Sequence, residues 1–176
     1  MGSASSNTEH QLVMSIVLYQ KITLIDALKV CFDMPQDERE QYEAFSLDGS
    51  KYDPEQAAVE FFARTGPKWT LCDGTDPIAI AGFDYLRNGV WQDWMVSTPK
   101  AWDKQHWFHT TRQVRRVMDS MLGEVAHRLQ CISLRSRIHA HEWYGVLGLR
   151  QEGVLEAYGV SGEDALLFSR VRKAEE

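Results

Sequence analysis

The sequence contains no apolar run that approaches the roughly 20 residues needed to cross a bilayer, so it predicts no membrane-spanning segment. It also has no basic surplus, because 19 Lys and Arg stand against 25 Asp and Glu, for a formal net charge of −6. A general nucleic-acid binder normally carries excess positive charge, so that class of protein is disfavoured. The three cysteines (Cys31, Cys72 and Cys131) are far apart and form no C-x-x-C pair. Their spacing argues against a disulfide framework or a cysteine zinc site, and it favours a reducing cytosol.

The first thirteen residues lack the features of a secretory signal, because they are polar and Ser-rich, without a basic segment that leads into an apolar one. Met14 stands just before the first strand-like run and offers a second start beside Met1. We therefore expect residues 1–13 to be a leader or a disordered tail. Residues 14–173 are expected to form one domain.

The first half of the chain predicts a strand followed by helices. Residues 16–22 are rich in β-branched and aromatic side chains and predict the strand. Thr23 with Asp26 three residues later resembles a capping box and predicts the start of a helix. The charged segment 35–45 is predicted as either a short helix or an ordered loop. Residues 53–65 open with an acid before a proline and predict a further helix.

The second half predicts strands and two helices in alternation. A helix is expected to begin at Thr110 or Thr111 and to end at about Leu129, because apolar residues recur on one of its faces and arginines on the other. Gly148 is expected to close a second, shorter helix. The predicted strands are residues 69–72, 78–83, 90–96, 131–134, 154–158 and 165–171, and residues 97–109 are predicted as a loop.

This order of elements and one group of residues resemble the GNAT acetyltransferases. Ala140, the pair Trp143-Tyr144 and the pair Gly148-Leu149 fall at the spacings of a pattern that follows the fifth strand in many GNAT domains. Arg137 stands where that pattern has an asparagine. The resemblance implies a single GNAT-like α/β domain with a mixed, mostly antiparallel twisted sheet flanked by helices.

A narrower resemblance is to the GNAT-like internal virion protein A of T7-like podophages and its relatives. It rests on residues 77–83 and 89–99, followed by a loop and a long basic helix, and it covers about residues 16–172. It implies a phage protein that acts in the host cytoplasm or is packaged in the virion. The expected partner is then a host or virion protein.

The GNAT resemblance also implies acetyl-CoA as the acyl donor. Tyr144 matches the family tyrosine that protonates the leaving thiolate, although an aromatic residue in the helix stripe is an equally good interpretation. Main-chain N–H groups near Trp94, Met95 and Val96, at the end of the fourth strand, are the candidates to polarise the thioester carbonyl.

The pyrophosphate-binding loop of the family is altered in this chain. GNAT proteins carry glycines at the start of the long helix, whereas no glycine occurs between Ser97 and Leu122 here. The residues proposed to hold an anion instead are Thr110, Thr111, Arg112, Arg115 and Arg116. The alternative for Arg115 and Arg116 is the solvated face of an amphipathic helix.

Four histidines are candidate functional residues. His139 and His141, with Glu142, lie at spacings that do not place metal ligands together on a helix, so no metal site is predicted. His106 and His109 are candidate bases toward an amine or residues of a loop surface. The aromatic segment 102–108 is interpreted either as a plug over the sheet or as an exposed patch for a partner.

Three functions therefore compete on the sequence. The first is an acyl-CoA N-acetyltransferase that acts on an amine of a small molecule or of a protein. The second is a catalytically silent GNAT scaffold that acts by binding another protein. The third is a regulator that holds CoA without turning it over. The sequence leaves enzymatic activity open, because fold analogy does not decide function.

Overall fold

The computed structural model describes residues 17–172, so the predicted leader and both candidate start methionines lie outside the described residues. The helices are α1 (Leu24–Phe32), α2 (Gln36–Ala44), α3 (Pro54–Ala63), α4 (Lys104–Glu124) and α5 (Ile138–Leu147). The strands are β1 (Val17–Lys21), β2 (Lys68–Asp73), β3 (Asp76–Arg87), β4 (Val90–Ser97), β5 (Arg128–Leu134), β6 (Arg150–Leu155) and β7 (Ala165–Val171). A short 3-10 helix, Pro99–Trp102, precedes α4. No helix among the described residues is both long enough and apolar enough to cross a membrane.

All seven strands form one sheet in the order β1-β2-β3-β4-β5-β7-β6. Every neighbouring pair is antiparallel except β4 and β5, which run parallel. The predicted fold class, one α/β domain with a mixed and mostly antiparallel sheet, is confirmed. The parallel pair lies in the middle of the sheet, and α4 is the crossover helix between its two strands.

Two apolar clusters cover the two faces of the sheet. The larger cluster packs α4 and α5, through residues such as Met118 and Leu147, against one face. The smaller cluster packs α1 and α3, through Val30 and Phe61, against the other face. The alternation of side chains along β4 sends Met95 to the first cluster and Trp94 to the second.

The predicted helix starts at Thr23 and Asp53 are confirmed. The Asp26 N–H donates to Thr23 Oγ1 at 3.1 Å, and the Thr23 N–H donates to Asp26 Oδ2 at 3.2 Å, which completes a capping box. At the start of α3, the Gln56 N–H donates to Asp53 Oδ1 at 2.8 Å. Of the two interpretations of segment 35–45, the helix is the observed one.

The predicted loop over residues 97–109 is wrong, because α4 begins at Lys104 rather than at Thr110 or Thr111. The apolar periodicity that marks the helix in the sequence begins only at Val114. In the first two turns the inward positions are taken by polar residues, His106 and Thr110, which are buried. Hydrophobic patterning does not detect a helix turn whose buried face is polar.

The predicted end of the long helix at Leu129 is also wrong. The helix ends at Glu124, and the Gly89 carbonyl accepts hydrogen bonds from the N–H groups of His127 and Arg128, which starts β5 beside β4. Leu129 is therefore buried from a strand. Similarly, β6 covers residues 150–155 where the sequence predicted 154–158. At such junctions the apolar residues fit both a helical and a strand periodicity. The sequence therefore does not fix the boundary of the element, and strand pairing does.

Candidate functional site

The central feature of the sheet is a gap between β4 and β5. The two strands pair only from Val90 to Gln92 and from Arg128 to Gln130. Beyond these residues β4 continues to Ser97 and β5 to Leu134 without pairing to each other. The strands therefore part toward their carboxyl ends and leave main-chain groups without a neighbouring strand.

The main-chain groups that face the gap follow from the register of β3 and β4. Phe83 pairs with Asp93, yet the Phe83 N–H donates to Pro67 on the other side of β3. Main-chain groups alternate between the two sides of a strand. Asp93 and Met95 therefore turn their N–H and C=O groups toward the gap. Ser97, which shares their orientation, has its N–H bonded to a side chain from α2.

A cavity of about 850 Å³ occupies this gap. It reaches both faces of the sheet, because Trp143 and Tyr144 line it on the side of α5, and Phe61 lines it on the side of α3. Its walls include the β4 residues from 92 to 96 and the β5 residues Cys131 and Ile132. A cavity of this volume is large enough to hold a fragment of a cofactor and a second small molecule at the same time.

Asp93 places a carboxyl group in the gap. It shares a strand face with Trp91 and Met95, which pack against the cluster that holds α5. Its Oδ1 is buried and has no hydrogen-bond partner among the described residues. Burial raises the pKa of the Asp93 carboxyl to about 7, with partial opposition from its own main-chain N–H. A carboxyl group with that pKa can exchange a proton near neutral pH.

Tyr144 reaches the same cavity from α5. It packs against Phe168, with ring centroids 5.1 Å apart, and it is half-buried. Burial raises the pKa of the Tyr144 phenol above its ordinary value, with smaller effects from the nearby Cys131 and Arg137. The Ser133 hydroxyl on β5 is buried, and its interaction with the phenol partly lowers the raised pKa of Tyr144. The phenol thus stays protonated at neutral pH and is available as a proton donor.

A buried network closes the wide end of the gap. Glu38 on α2 accepts hydrogen bonds from the N–H and the hydroxyl of Ser97, both at 2.8 Å. Trp102 Nε1 donates to Ser97 Oγ at 2.7 Å. Arg137 lies 3.6 Å from Glu38 and 3.1 Å from Asp37, and its side chain is 7% exposed. Burial raises the pKa of Glu38 to about 7, while Arg137 and Ser97 lower it.

The β5 side of the wide end is bound to the same helix. The Leu134 N–H donates to Gln41 Oε1 at 3.0 Å. Because Glu38 and Gln41 lie on one face of α2, this helix binds the free edges of both strands. The two strands are held apart by side chains of the protein itself.

Comparison with known proteins gives matches to solved structures alone. No protein-family model matches the chain, and no curated protein matches it either. A GNAT-family acetyltransferase from Bacillus anthracis superposes with a TM-score of 0.68 over 90% of this chain and 96% of that one, at 12% identity. A ribosomal-protein-alanine N-acetyltransferase from Brucella melitensis gives a TM-score of 0.66 over 88% and 99%, at 11% identity. The chain has the GNAT acetyltransferase fold.

A third solved structure with the GNAT fold contains the acyl donor. It is a phosphinothricin acetyltransferase from Sinorhizobium meliloti in complex with acetyl-CoA, with a TM-score of 0.65 over 89% of each chain, at 13% identity. The likeness of this chain to that structure is one of fold. At this level of identity it establishes the fold and leaves the activity to the residues of the site.

The GNAT fold of this chain fits acetyl-CoA at one end of the site. The gap offers main-chain donors at Asp93 and Met95, which suits a thioester and the amide groups of a pantetheine arm. At the start of α4 the fit is poorer, because Asp103 places a carboxylate at the amino end of the helix, where phosphate would otherwise be favoured. Lys104 is the exposed cation at that end.

The structure brings four of the predicted site residues together. Trp94, Met95, Val96 and Tyr144 all line the cavity. Their roles in acyl transfer stay predictions.

The other five predicted residues lie on α4 and do not line the cavity. Thr110 and Thr111 are buried in the second turn, and Thr111 Oγ1 accepts a hydrogen bond from Trp143 Nε1 at 3.0 Å. Since α4 begins six residues before Thr110, the expectation that these threonines stand at a helix N-terminus is wrong. The side chains of Arg112, Arg115 and Arg116 are exposed. Anion binding by these five residues stays a prediction.

The histidines lie away from the gap. His106 is buried with its Nε2 3.2 Å from Asp73, and His141 Nε2 lies 3.0 Å from the Leu134 carbonyl. His139 is exposed beside Glu142. Within residues 17–172 no group of three or more His, Cys, Asp or Glu side chains is arranged to hold a metal ion.

Each of the two interpretations of the aromatic segment 102–108, a plug over the sheet and an exposed patch, describes part of it. Trp102 is half-buried and packs edge-on against Trp143, with centroids 5.0 Å apart, as a plug would. Trp107 and Phe108 are 37% and 58% exposed, as a surface patch would be. One residue closes the gap and the other two face solvent.

Sequence reasoning missed Asp93 and Glu38. A signal for Asp93 was present, since it is an acid between Trp91 and Met95 on one face of an otherwise apolar strand. Glu38 carried no such signal, because it stands in a run of charged residues of the kind that usually forms a solvated helix face.

Proposed function

We propose that this protein is an acetyl-CoA-dependent N-acetyltransferase that acts on a primary amine. The observation that carries the proposal is the pairing of Asp93 and Tyr144 in one cavity, between two strands that have parted. Asp93 supplies a carboxyl whose Oδ1 is buried without a hydrogen-bond partner among the described residues, and Tyr144 supplies a half-buried phenol. Amide formation from a thioester needs a group that accepts a proton and a group that supplies one.

In the proposed reaction, acetyl-CoA supplies an acyl group as a thioester. The acceptor enters as an ammonium group and first releases one proton to solvent, after which its neutral nitrogen forms a bond to the carbonyl carbon and the carbon–sulfur bond breaks. Asp93 accepts the proton that the nitrogen loses, and Tyr144 gives its proton to the departing sulfur. The N–H groups of Asp93 and Met95 stabilise the negative charge that develops on the carbonyl oxygen.

Charge within the cavity supports a cationic acceptor. Four carboxyl groups line it against the arginines Arg64 and Arg137: those of Asp48 and Glu60, and those of Glu38 and Asp93, whose pKa values are about 7. Both arginines are already committed, since Arg64 pairs with Asp84, and Arg137 pairs with Asp37 and Glu38. The surplus of negative charge attracts an ammonium group and repels an anionic acceptor.

The residues that would hold acetyl-CoA are divided between two regions. The main chain of β4 at Asp93 and Met95 would hold the thioester end. Lys104 and the first N–H groups of α4 would hold the phosphates, with the exposed Arg112 further along the helix.

The first test is calorimetric titration of the full chain with acetyl-CoA and with free CoA, followed by release of thiol in the presence of amines. Micromolar binding and amine-dependent thiol release are expected. Asp93→Asn is expected to lower kcat/KM, and Tyr144→Phe to lower kcat, by about 100-fold or more each, while acetyl-CoA still binds. Failure to bind at millimolar acetyl-CoA would refute the enzyme and the CoA-holding regulator together.

A binding scaffold is the second candidate function, and the filled end of the gap favours it. Glu38, Ser97 and Trp102 occupy with their own hydrogen bonds the end of β4 where a cofactor would enter. On this alternative, as the resemblance to phage proteins implies, the chain binds a virion or host protein through its surface. Trp107 and Phe108 are the exposed aromatic candidates for that contact. Association that survives Tyr144→Phe and is lost on truncation of these two residues would support it.

A further inference from the structure

We propose that the preferred acyl donor carries a medium-length apolar acyl chain, which lies in a pocket between the sheet and helices α4 and α5. The inference rests on the proposed function for the thioester, whose carbonyl is held at the main chain of Asp93 and Met95. It deepens that function by naming the class of acyl group. The acyl pocket is the part of the cavity on the side of α4 and α5, and it is lined by Ala81, Phe83, Val114, Met118, Trp143 and Leu147.

The floor of the acyl pocket extends sideways from β4 across β3 to β2. Met95 pairs with Ala81 on β3, and Ala81 pairs with Trp69 on β2. Directly paired residues point to the same face of a sheet, and these three belong to the larger apolar cluster or pack against it. Since neighbouring strands lie about 4.8 Å apart, the floor is about 10 Å long. A chain of about eight carbons has a similar extended length.

Helices α4 and α5 supply the roof of the acyl pocket. Val114 and Met118 lie one turn apart on α4, and Trp143 and Leu147 lie one turn apart on α5, so each pair faces the sheet. These four residues are between 1% and 8% exposed. Space beside buried apolar side chains lowers the free energy of unfolding unless an apolar group fills it. The pocket therefore favours a hydrocarbon chain over a polar group.

The carboxyl of Asp93 and the phenol of Tyr144 mark the end of the acyl pocket that opens to the gap. Within residues 17–172, β2, β3, α4 and α5 contribute no charged side chain to the lining of the cavity. Asp93 and Met95 turn their main-chain N–H groups toward the gap, while the Met95 side chain packs against the larger apolar cluster. A thioester whose carbonyl oxygen accepts from those N–H groups can therefore extend its acyl chain over β4 into the pocket.

The acyl pocket extends well beyond the volume that an acetyl group needs. Ala81 has the smallest side chain on the floor, and it stands between Met95 and Trp69. The methyl group of an acetyl thioester reaches only the first strand of the floor, whereas an octanoyl chain covers all three strands. Each methylene that moves from water to an apolar wall tightens binding several-fold. Acetyl-CoA is then a donor of lower affinity than a medium-chain acyl-CoA.

The test measures the binding of acetyl-CoA and of octanoyl-CoA to the full chain by calorimetric titration. Octanoyl-CoA is expected to bind about 100-fold more tightly, because its further methylenes leave water. Val114→Phe narrows the pocket from its roof and should reduce this preference to less than about threefold. Ala81→Leu narrows it from its floor and should have the same effect. Val117→Phe is the matched control, because Val117 packs against the same cluster from α4 but does not line the cavity.

Equal affinities for the two donors, or a preference that survives both pocket variants, would overturn the inference. If neither donor binds at millimolar concentration, the proposed function has failed, and titration with n-octanamide then tests the acyl pocket by itself. The carbonyl of this amide can accept from the same main-chain N–H groups. Octanamide binding that is weakened by Val114→Phe but not by Val117→Phe would support the acyl pocket. Absence of octanamide binding would refute it.

Discussion

Glu38 on α2 accepts two hydrogen bonds from Ser97 at the end of β4, one from the main-chain N–H and one from the hydroxyl, each 2.8 Å long. An unpaired N–H at the end of a parted strand would otherwise be buried without an acceptor, which costs free energy of folding. With Gln41 bonded to the Leu134 N–H on the other strand, α2 supplies acceptors that a neighbouring strand would normally supply. The gap that holds the candidate site thus depends on one short polar helix.

Gln41→Ala is expected to loosen the β5 side of the gap. It leaves the Leu134 N–H without its side-chain acceptor, so the free energy of unfolding should fall by about 1 kcal/mol. Amide hydrogen exchange at Leu134 should become faster. Glu40→Ala serves as the control, since Glu40 is exposed on the same helix and its carboxylate accepts a hydrogen bond from Gln36 Nε2. Unchanged exchange at Leu134 would show that the bond does not hold this strand.

Arg137→Met is expected to destabilise the protein more at pH 8 than at pH 5. Arg137 lowers the otherwise raised pKa of Glu38, so its loss raises that pKa further. A carboxyl whose pKa is raised in the folded state stabilises the fold below its ordinary pKa, and this stability is lost as pH rises through the folded value. At pH 8 the variant buries an unpaired charge, at a cost of about 3 kcal/mol. Urea unfolding at both pH values measures the difference, and equal losses would contradict it.

The pH dependence of kcat/KM should report the Asp93 carboxyl. The proposed reaction needs Asp93 deprotonated, so activity is expected to rise with pH through about 7. The charged or titratable groups near it are Cys131 on β5, Tyr144 on α5 and Arg137, the residue that precedes α5. Asp93→Asn should remove the rising limb along with most of the activity. Because Glu38 also titrates near 7, Glu38→Gln is the control that should keep the limb.

Trp102 and Trp107 should differ in what they contribute to stability. Trp102→Ala removes a ring that packs on Trp143 and a donor to Ser97, so it should lower the free energy of unfolding by about 3 kcal/mol. Trp107→Ala removes a ring that is 37% exposed and should cost less than about 1 kcal/mol. Chemical denaturation of the two variants side by side measures both values. Similar losses would mean that both rings act as the plug.

Much of the fold could be predicted from local signals. The capping residues Thr23 and Asp53 fixed two helix starts, because each bonds a main-chain N–H three residues away. Gly148 closes α5 with a φ of 85°, a backbone conformation that glycine adopts without strain. Such features depend on neighbours in the chain and can be read without knowledge of the packing.

The start of α4 was missed for a physical reason. Its first two turns bury His106 and Thr110, and their neighbours Trp107 and Phe108 face solvent, so the usual relation between polarity and burial is reversed there. A tertiary contact allows this reversal, since His106 Nε2 lies 3.2 Å from Asp73 at the end of β2. No pattern within the helix contains that information.

The sequence by itself determined the order of the elements other than α2, the two capped helix starts and the position of Tyr144 on α5, because these depend on short-range periodicity and hydrogen bonding. Only the tertiary structure decided that β4 and β5 part after Gln92, and that Asp93 Oδ1 is buried with no hydrogen-bond partner among residues 17–172. It also decided that Glu38 and Glu60, on two different helices, line that same cavity. Groups that are tens of residues apart in the chain meet only once the sheet has formed, and their desolvation and charge depend on that meeting.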